Sequence, residues 1–407
     1  VVKALLLENV HSLGRETLEK AGVEVTTLKG ALDEDELIAA LDGVEMLGIR
    51  SKTQVTARVL DNAPSLTTIG AFCIGTNQID LAHAATNGVA VFNAPFSNTR
   101  SVVELAIAEI IALTRRLTEK DKALHGGVWD KSADGAHEVR GRTLGIVGYG
   151  NIGTQLSVVA EALGLRVVFY DTAEKLALGN ATRMSSLDDL LDVADIVTLH
   201  VDGRAGNAGM FGAAQFERMK PGAIFLNLSR GFLVDYATLR ERILAGTVAG
   251  AAVDVFPVEP KSAGEAFDSE LRDLPNVILT PHVGGSTEEA QQDIGLFVSA
   301  KLRDYVTVGA TGLSVNVPPL ILDRPREGAY RIAHLHRNVP GVLAGVNQTL
   351  SAVGVNVESQ VLGTSGELGY VVTDIGGPLP GSAVQALEDM DPTIRVRVLD
   401  QAVLPAG

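Results

Sequence analysis

The sequence predicts an α/β protein built on parallel sheets, with a smaller α+β module toward its C-terminal end. Three observations carry that expectation. Short apolar runs alternate with helical stretches up to about residue 92, and the same rhythm restarts at residue 143. A glycine-rich turn, Gly148-Tyr149-Gly150-Asn151-Ile152-Gly153, stands between a strand and a helix in the second run. After Pro318-Pro319 the cadence changes to closely spaced strands.

Taken in order, residues 2–7, 45–49, 67–71 and 89–92 read as buried strands, with helices near 11–21, 33–42 and 78–87. One long helix is expected from about Thr99 to His125, capped by Ser97 or Asn98. Strand 143–147, the glycine turn, a helix to about Leu163 and strands at 166–170, 195–199, 223–227, 248–253 and 277–279 follow. A second long helix, roughly Thr287 to Val306, leaves this sheet, and Pro318-Pro319 with Asp323–Gly328 reads as a linker. The last module takes strand 330–335, a Pro340-Gly341 turn and a helix near 341–353. Strands near 355–362 and 368–375, a helix near 382–390 and a strand near 394–399 complete it.

Composition narrows the function classes. A chain of 407 residues implies two or three domains. Its net charge of −15 supplies no cationic field for nucleic acid or an anionic membrane surface. No apolar run approaches the roughly 20 residues that span a bilayer, and the first residues read as a strand rather than a signal peptide. Cys73 is the only cysteine, so no intrachain disulfide forms and a cytoplasmic setting is expected. An anionic substrate would need a local basic cluster against this overall charge.

The glycine turn has the full context of a Rossmann-type dinucleotide site. It follows a strand, opens a helix, and is followed by a second strand ending at Asp171, 18 positions beyond Gly153. The glycines permit the turn and close approach to a pyrophosphate at the helix N-terminus. Asp171 would accept the ribose hydroxyls and repel a 2′-phosphate, and Thr172 offers no compensating charge, so NAD is expected rather than NADP. No metal site is expected.

Arg230, Glu259 and His282 each stand just past a short apolar run, where open α/β sheets place ligands. His282 titrates in the range useful for moving a hydroxyl proton. Glu259 beside it would favour the imidazolium. Arg230 offers a planar fork to a carboxylate. Asp254, also at a strand end, is a candidate for the nicotinamide end of the cofactor.

At these residues the chain resembles the D-isomer-specific 2-hydroxyacid dehydrogenase family. The resemblance covers nearly all of residues 1–309. The motifs are the glycine turn, Asn227-Leu228-Ser229-Arg230-Gly231, Asp254-Val255-Phe256-Pro257-Val258-Glu259-Pro260 and Pro281-His282-Val283-Gly284-Gly285-Ser286-Thr287. It implies Arg230, Glu259 and His282 as the catalytic set. It also implies NAD contacts at Gly148, Gly150, Asn151, Ile152, Gly153, Asp171, His200, Leu228, Ser229, Asp254, Gly284 and Gly285. The implied architecture is a flavodoxin-like substrate domain, residues 1–97 and 285–317, interrupted by an NAD domain at 98–284. A linker at 318–328 then leads to a regulatory module at 329–407. Glu259 argues against a formate dehydrogenase, which carries glutamine there.

Further strings, Phe72–Gln78 and Phe92–Val102, resemble members that oxidise 3-phosphoglycerate to 3-phosphohydroxypyruvate in serine biosynthesis. By that resemblance Arg50, Ser51, Lys52, Gly75, Asn98 and Lys131 bind substrate, Lys131 from a neighbouring subunit. The segment His334–Leu343 resembles the opening of an ACT domain, which implies serine as effector at His336, Asn338 and Asn356. The helix after Thr99 and the ACT-like tail together imply a homotetramer. A glycerate or hydroxypyruvate reductase, or an NAD-sensing corepressor-like protein, are the alternatives. The loop Asp202-Gly203-Arg204-Ala205-Gly206-Asn207 departs from the family pattern, and Asp202 is expected to weaken NAD binding.

Overall fold

A computed structural model describes residues 1–260, 264–326 and 328–399. Residue 327 of the expected linker and residues 400–407 of the expected last module lie outside the described residues. The chain forms two compact units, Val1–Ser97 with Gln291 onward, and Asn98–Ala290.

The first unit begins with β1 (Lys3–Leu6), α1 (Ser12–Lys20), β2 (Glu24–Thr27), α2 (Glu34–Ala40), β3 (Met46–Ile49), α3 (Ala57–Asp61), β4 (Thr68–Ala71), α4 (Leu81–Thr86) and β5 (Ala90–Phe92). These strands form a parallel sheet in the order β2-β1-β3-β4-β5. Strands β3, β4 and β5 are buried throughout, as parallel strands covered on both faces must be. The edge strand β2 is mostly exposed and too polar to stand out in the sequence.

The second unit runs α5 (Thr99–Thr114), α6 (Leu117–His125), β6 (Thr143–Val147), α7 (Asn151–Ala162), β7 (Arg166–Tyr170), β8 (Thr182–Arg183), α8 (Leu187–Val193), β9 (Ile196–Leu199), α9 (Ala213–Arg218), β10 (Ala223–Asn227), α10 (Tyr236–Leu244), β11 (Val248–Val253) and β12 (Val277–Leu279). Its seven-stranded parallel sheet has the order β12-β11-β10-β9-β6-β7-β8. The order reverses beside β6, so the crevice at the strand ends there is a topological switch point.

The expected single helix from Thr99 to His125 is instead two. Arg116 adopts a left-handed conformation, φ 52° and ψ 37°, and ends the continuity between α5 and α6. Asn98 is the N-cap of α5, yet its side chain makes no capping bond.

The chain returns to the first unit along α11 (Glu288–Val308). It then forms β13 (Tyr330–Arg337), α12 (Val342–Ala352), β14 (Val357–Ser365), β15 (Leu368–Ile375), α13 (Gly381–Glu388) and β16 (Thr393–Leu399). These strands make an antiparallel sheet, β14-β15-β13-β16. The expected linker is partly fastened down: Leu320 is buried, and Asp323 O accepts from Arg331 Nη1 at 2.8 Å. Arg331 also grips both oxygens of Asp374, at 2.6 and 2.8 Å. One apolar cluster joins Leu6, Phe92, Val298 and Tyr305 to Leu335, Tyr370 and Val372, so this sheet shares a core with the first.

Candidate active site

The glycine turn is built by close packing. Gly148 sits at φ 94°, and a Cβ there would lie 2.5 Å from the His200 carbonyl oxygen, so no other residue fits. A Cβ at Gly150 would meet open space, and the first turn of α7 has no side-chain cap. Its leading N–H groups, at Asn151, Ile152 and Gly153, are therefore available to an anion. Those are the features a pyrophosphate requires.

Asp171, just past β7, accepts from the N–H groups of Tyr149 and Ala173, each at 2.8 Å. This ties the turn to the residues just past the next strand. His200 is the other fixed point: its ring hydrogen-bonds Thr198 Oγ1 at 3.0 Å, and burial pushes its pKa to about 4. It is neutral and unsuited to proton transfer near neutral pH. Ser229 donates to Leu199 O at 2.6 Å, which fixes the Leu228-Ser229 backbone.

Glu259 and His282 meet directly, His282 Nδ1 and Glu259 Oε2 lying 2.9 Å apart. The other carboxylate oxygen accepts from the Phe256 N–H at 3.0 Å, so the acid cannot rotate away. The hydrogen bond to Glu259 outweighs desolvation and holds the His282 pKa above its ordinary value. Burial pushes the Glu259 pKa upward, but the bonds from His282 and Phe256, with the His282 and Arg230 charges, leave it below the usual range. With Nδ1 engaged, Nε2 is the imidazole atom left for proton exchange.

His282 takes φ 55°, a left-handed conformation that a side chain of this size adopts at some cost. Asp254 holds it there. Its two oxygens accept from Thr280 Oγ1 at 2.6 Å and from the N–H groups of Val283 and Gly284 at 2.8 Å each. Asp254 thus clamps the turn on both sides of the imidazole.

Arg230 precedes the short turn Gly231–Leu233. A Cβ on Gly231 would come within 2.0 Å of the Phe256 carbonyl carbon, so glycine alone allows these segments to approach. That approach brings the Arg230 charge within reach of both Glu259 and His282. Beneath it Asn227 donates to Arg230 O at 3.0 Å and pairs with Tyr236 Oη at 2.9 Å. Tyr236 in turn donates to Val255 O at 2.7 Å. Neither Asn227 nor Tyr236 is among the residues expected from sequence; Asn227 lies within the quoted Asn227–Gly231 motif, whereas Tyr236 carries no local signal.

In the first unit, Arg50 and Lys52 follow β3. The N–H groups of Lys52 and Thr53 donate to the buried Glu8, at 3.0 and 2.8 Å, and Gln78 Nε2 donates to Arg50 O at 2.6 Å. Ser51 lies between them, and Gly75 O is a second acceptor for Gln78 at 3.3 Å. Among the described residues neither Arg50 nor Lys52 forms an ion pair. The two cations give this stretch a local positive charge in a chain of net charge −15. Lys131 is exposed, and Asn98 Nδ2 lies against Gly285, where a Cβ would be 2.4 Å from it.

The departing loop neutralises itself. Arg204 binds Asp202 through Nε at 2.7 Å and Nη2 at 2.5 Å, so Asp202 does not present the bare charge expected from its sequence position. The three expected effector residues do not come together within one chain. His336 and Asn338 lie near the β14–β15 turn, where Asn338 donates to Gly366 O at 3.2 Å. Asn356 lies near Gly376, at the opposite end of β15, and lines a hollow of about 410 Å³ with Asn347, Ser351 and Gln360.

A Rossmann-type switch point carrying a carboxylate–imidazole pair and a guanidinium defines a dehydrogenase of hydroxy acids. Residues 107–284 match the NAD binding domain of the D-isomer specific 2-hydroxyacid dehydrogenases, and residues 332–395 match an AHAS small subunit-like ACT domain. The chain belongs to the D-isomer specific 2-hydroxyacid dehydrogenase family and is an NAD-dependent oxidoreductase. It is 47% identical over 399 residues to the D-3-phosphoglycerate dehydrogenase of Haemophilus influenzae, covering 98% of this chain and 97% of that one. The Escherichia coli D-3-phosphoglycerate dehydrogenase is likewise 47% identical, over 401 residues, with the same coverage. A D-lactate dehydrogenase from Aquifex aeolicus, solved with NAD and lactic acid, superposes with a TM-score of 0.66 at 25% identity, covering 74% of this chain and 95% of that one. No helix among the described residues is long and apolar enough to cross a membrane.

Proposed function

We propose that this protein oxidises D-3-phosphoglycerate to 3-phosphohydroxypyruvate, the first step of phosphorylated serine synthesis. The observation that carries the reading is the Glu259–His282 pair, in a chain that matches curated D-3-phosphoglycerate dehydrogenases along nearly its whole length. NAD, when bound, supplies the hydride acceptor. His282 Nε2 takes the substrate hydroxyl proton as the carbinol carbon is oxidised. Glu259 stabilises the imidazolium, and Arg230 holds the substrate carboxylate. Arg50 and Lys52, with Ser51, bind the phosphate, and Gly75, Asn98 and Lys131 complete the substrate contacts. Asp254, Gly284 and Gly285 serve the nicotinamide end of the cofactor, and Asp171 its ribose.

In the same reading residues 1–97 and 285–317 bind substrate, 98–284 bind NAD, and 329–407 bind serine as a feedback inhibitor. His336 and Asn338 of one copy then face Asn356 of another, in a cytoplasmic homotetramer. That pairing accounts for their separation within one chain.

A panel of hydroxy acids with NAD, run with and without serine while the keto product is trapped, tests the proposal. Turnover of 3-phosphoglycerate that falls with added serine is expected. Brisk turnover of glycerate or lactate, with none of 3-phosphoglycerate, overturns the substrate assignment.

A further inference from the structure

Glu109 lies on the buried face of α5 with Val102, Val103, Ala106, Ile110 and Leu113. It is 3% exposed, and neither carboxyl oxygen has a hydrogen-bond partner among the described residues. An ionised carboxylate is costly in such a place, and packing alone would be served by an apolar side chain.

The charge that reaches it is that of Asp254, the residue directly after β11, a strand packed against α5. Val102 flanks the same turn that Asp254 clamps: a Cβ on Gly284 would lie 3.5 Å from Val102 Cγ2 and 2.9 Å from Asp254 Oδ2. Strands β10, β11 and β12, packed against α5, bring no titratable side chain. On α7, Glu161 is engaged with Asn180. On α6, Glu119 pairs with Arg116, Lys120 with Asp130 and His125 with Asp121, leaving exposed Lys122. Arg100 and Glu104 of α5 pair with each other at the surface.

We infer that Glu109 is a positioning residue for the nicotinamide end of the site: neutral, it leaves Asp254 as the single negative charge at that corner, and ionised, it adds a second. The inference rests on the reading of Asp254 as the nicotinamide contact. Burial, and then the Asp254 charge, push the Glu109 carboxyl up to about 8, so the change falls near neutral pH. An oxidised nicotinamide ring is positively charged and a reduced one is not. Ionisation of Glu109 therefore favours the oxidised cofactor.

Equilibrium titrations of the full-length protein with NAD⁺ and with NADH, from about pH 6.5 to about pH 9.5, test this. In the wild type the preference for NAD⁺ over NADH rises about three- to tenfold as pH climbs through about 8. His282, whose raised pKa also falls in this range, adds a step common to all the proteins. Glu109→Gln lowers the total to that common part, and Glu109→Leu, suited to the apolar face, is a second non-ionising variant with the same smaller step. Glu109→Asp restores the difference. A step as large as the wild type's in either non-ionising variant overturns the inference. Asp254→Asn separates the two readings. If it leaves the NAD⁺/NADH preference unchanged, the assignment of Asp254 fails and the inference with it. If it changes the preference while the wild-type and Glu109→Gln profiles coincide, the role of Glu109 alone fails.

Discussion

His282 and His334 carry the same ring into opposite surroundings. His282 stands past β12 with 49% of its side chain exposed, a carboxylate 2.9 Å from Nδ1 and its pKa raised. His334 lies inside β13 at 1% exposure, with the Thr393 hydroxyl at 2.8 Å and, among the described residues, no acid hydrogen-bonded to it. Burial, and then neighbouring His336, push its pKa down to about 4. An imidazole taken out of water exchanges protons near neutrality where a carboxylate offsets the desolvation and an open path remains. The contrast supports the proposed proton transfer for the first histidine and packing for the second.

The sharpest break in this contrast comes from His282→Asn. NAD-coupled oxidation should fall about 10²- to 10⁴-fold, while NAD affinity by fluorescence titration stays near that of the wild type. Near-normal turnover would remove His282 from the mechanism.

Glu259→Gln should follow, with about a 10- to 100-fold loss in kcat and a displaced pH profile. In the proposed mechanism oxidation needs neutral His282, so the wild-type rate should rise as pH passes the raised pKa of that ring. Without the carboxylate the rise moves to lower pH. The pair's stabilisation has the converse window: it is complete below the unfolded histidine value and is lost as pH rises through the folded one.

His334→Gln tests the other side, and its effect belongs to stability. As pH falls from about 6.5 toward about 4, the unfolded chain takes up a proton that the folded ring refuses, so the wild type loses stability there. The substitution should flatten that acid slope in thermal melts at a cost of about 1–3 kcal/mol, with kcat unchanged near neutral pH. The smallest effect is expected from Arg204→Ala, which uncovers Asp202: NAD binding should weaken about two- to fivefold. An unchanged Kd would mean that the Asp202–Arg204 pair lies beyond the cofactor's field.

Legibility in the sequence followed the range of the interactions concerned. The glycine turn was readable because Gly148 answers a local steric demand, and Arg230, Glu259 and His282 because they follow apolar strands. The break at Arg116 was not, since nothing in an arginine announces a left-handed backbone. Asp254 was visible as a strand end, but its bonds to Thr280, Val283 and Gly284 span 26 to 30 residues. Glu109 in a helix reads as a solvated acid until β10, β11 and β12 cover its face. The cancellation of Asp202 by Arg204 was written two residues away, yet it depends on loop geometry that no periodicity encodes.

The C-terminal sheet is sewn to α11 and to the N-terminal part of the same unit at several points. Tyr370 donates to Gly309 O at 2.7 Å, Arg395 to Leu66 O at 2.6 Å, and Arg397 stacks 4.2 Å from the Tyr305 ring centroid. A protease nick near residue 325 would therefore leave two fragments that travel together, and a gene shortened to end there would yield a protein with a raw apolar wound along Tyr305 and Val306. For this chain, the C-terminal module behaves as a load-sharing wall of the building and not as a removable annexe.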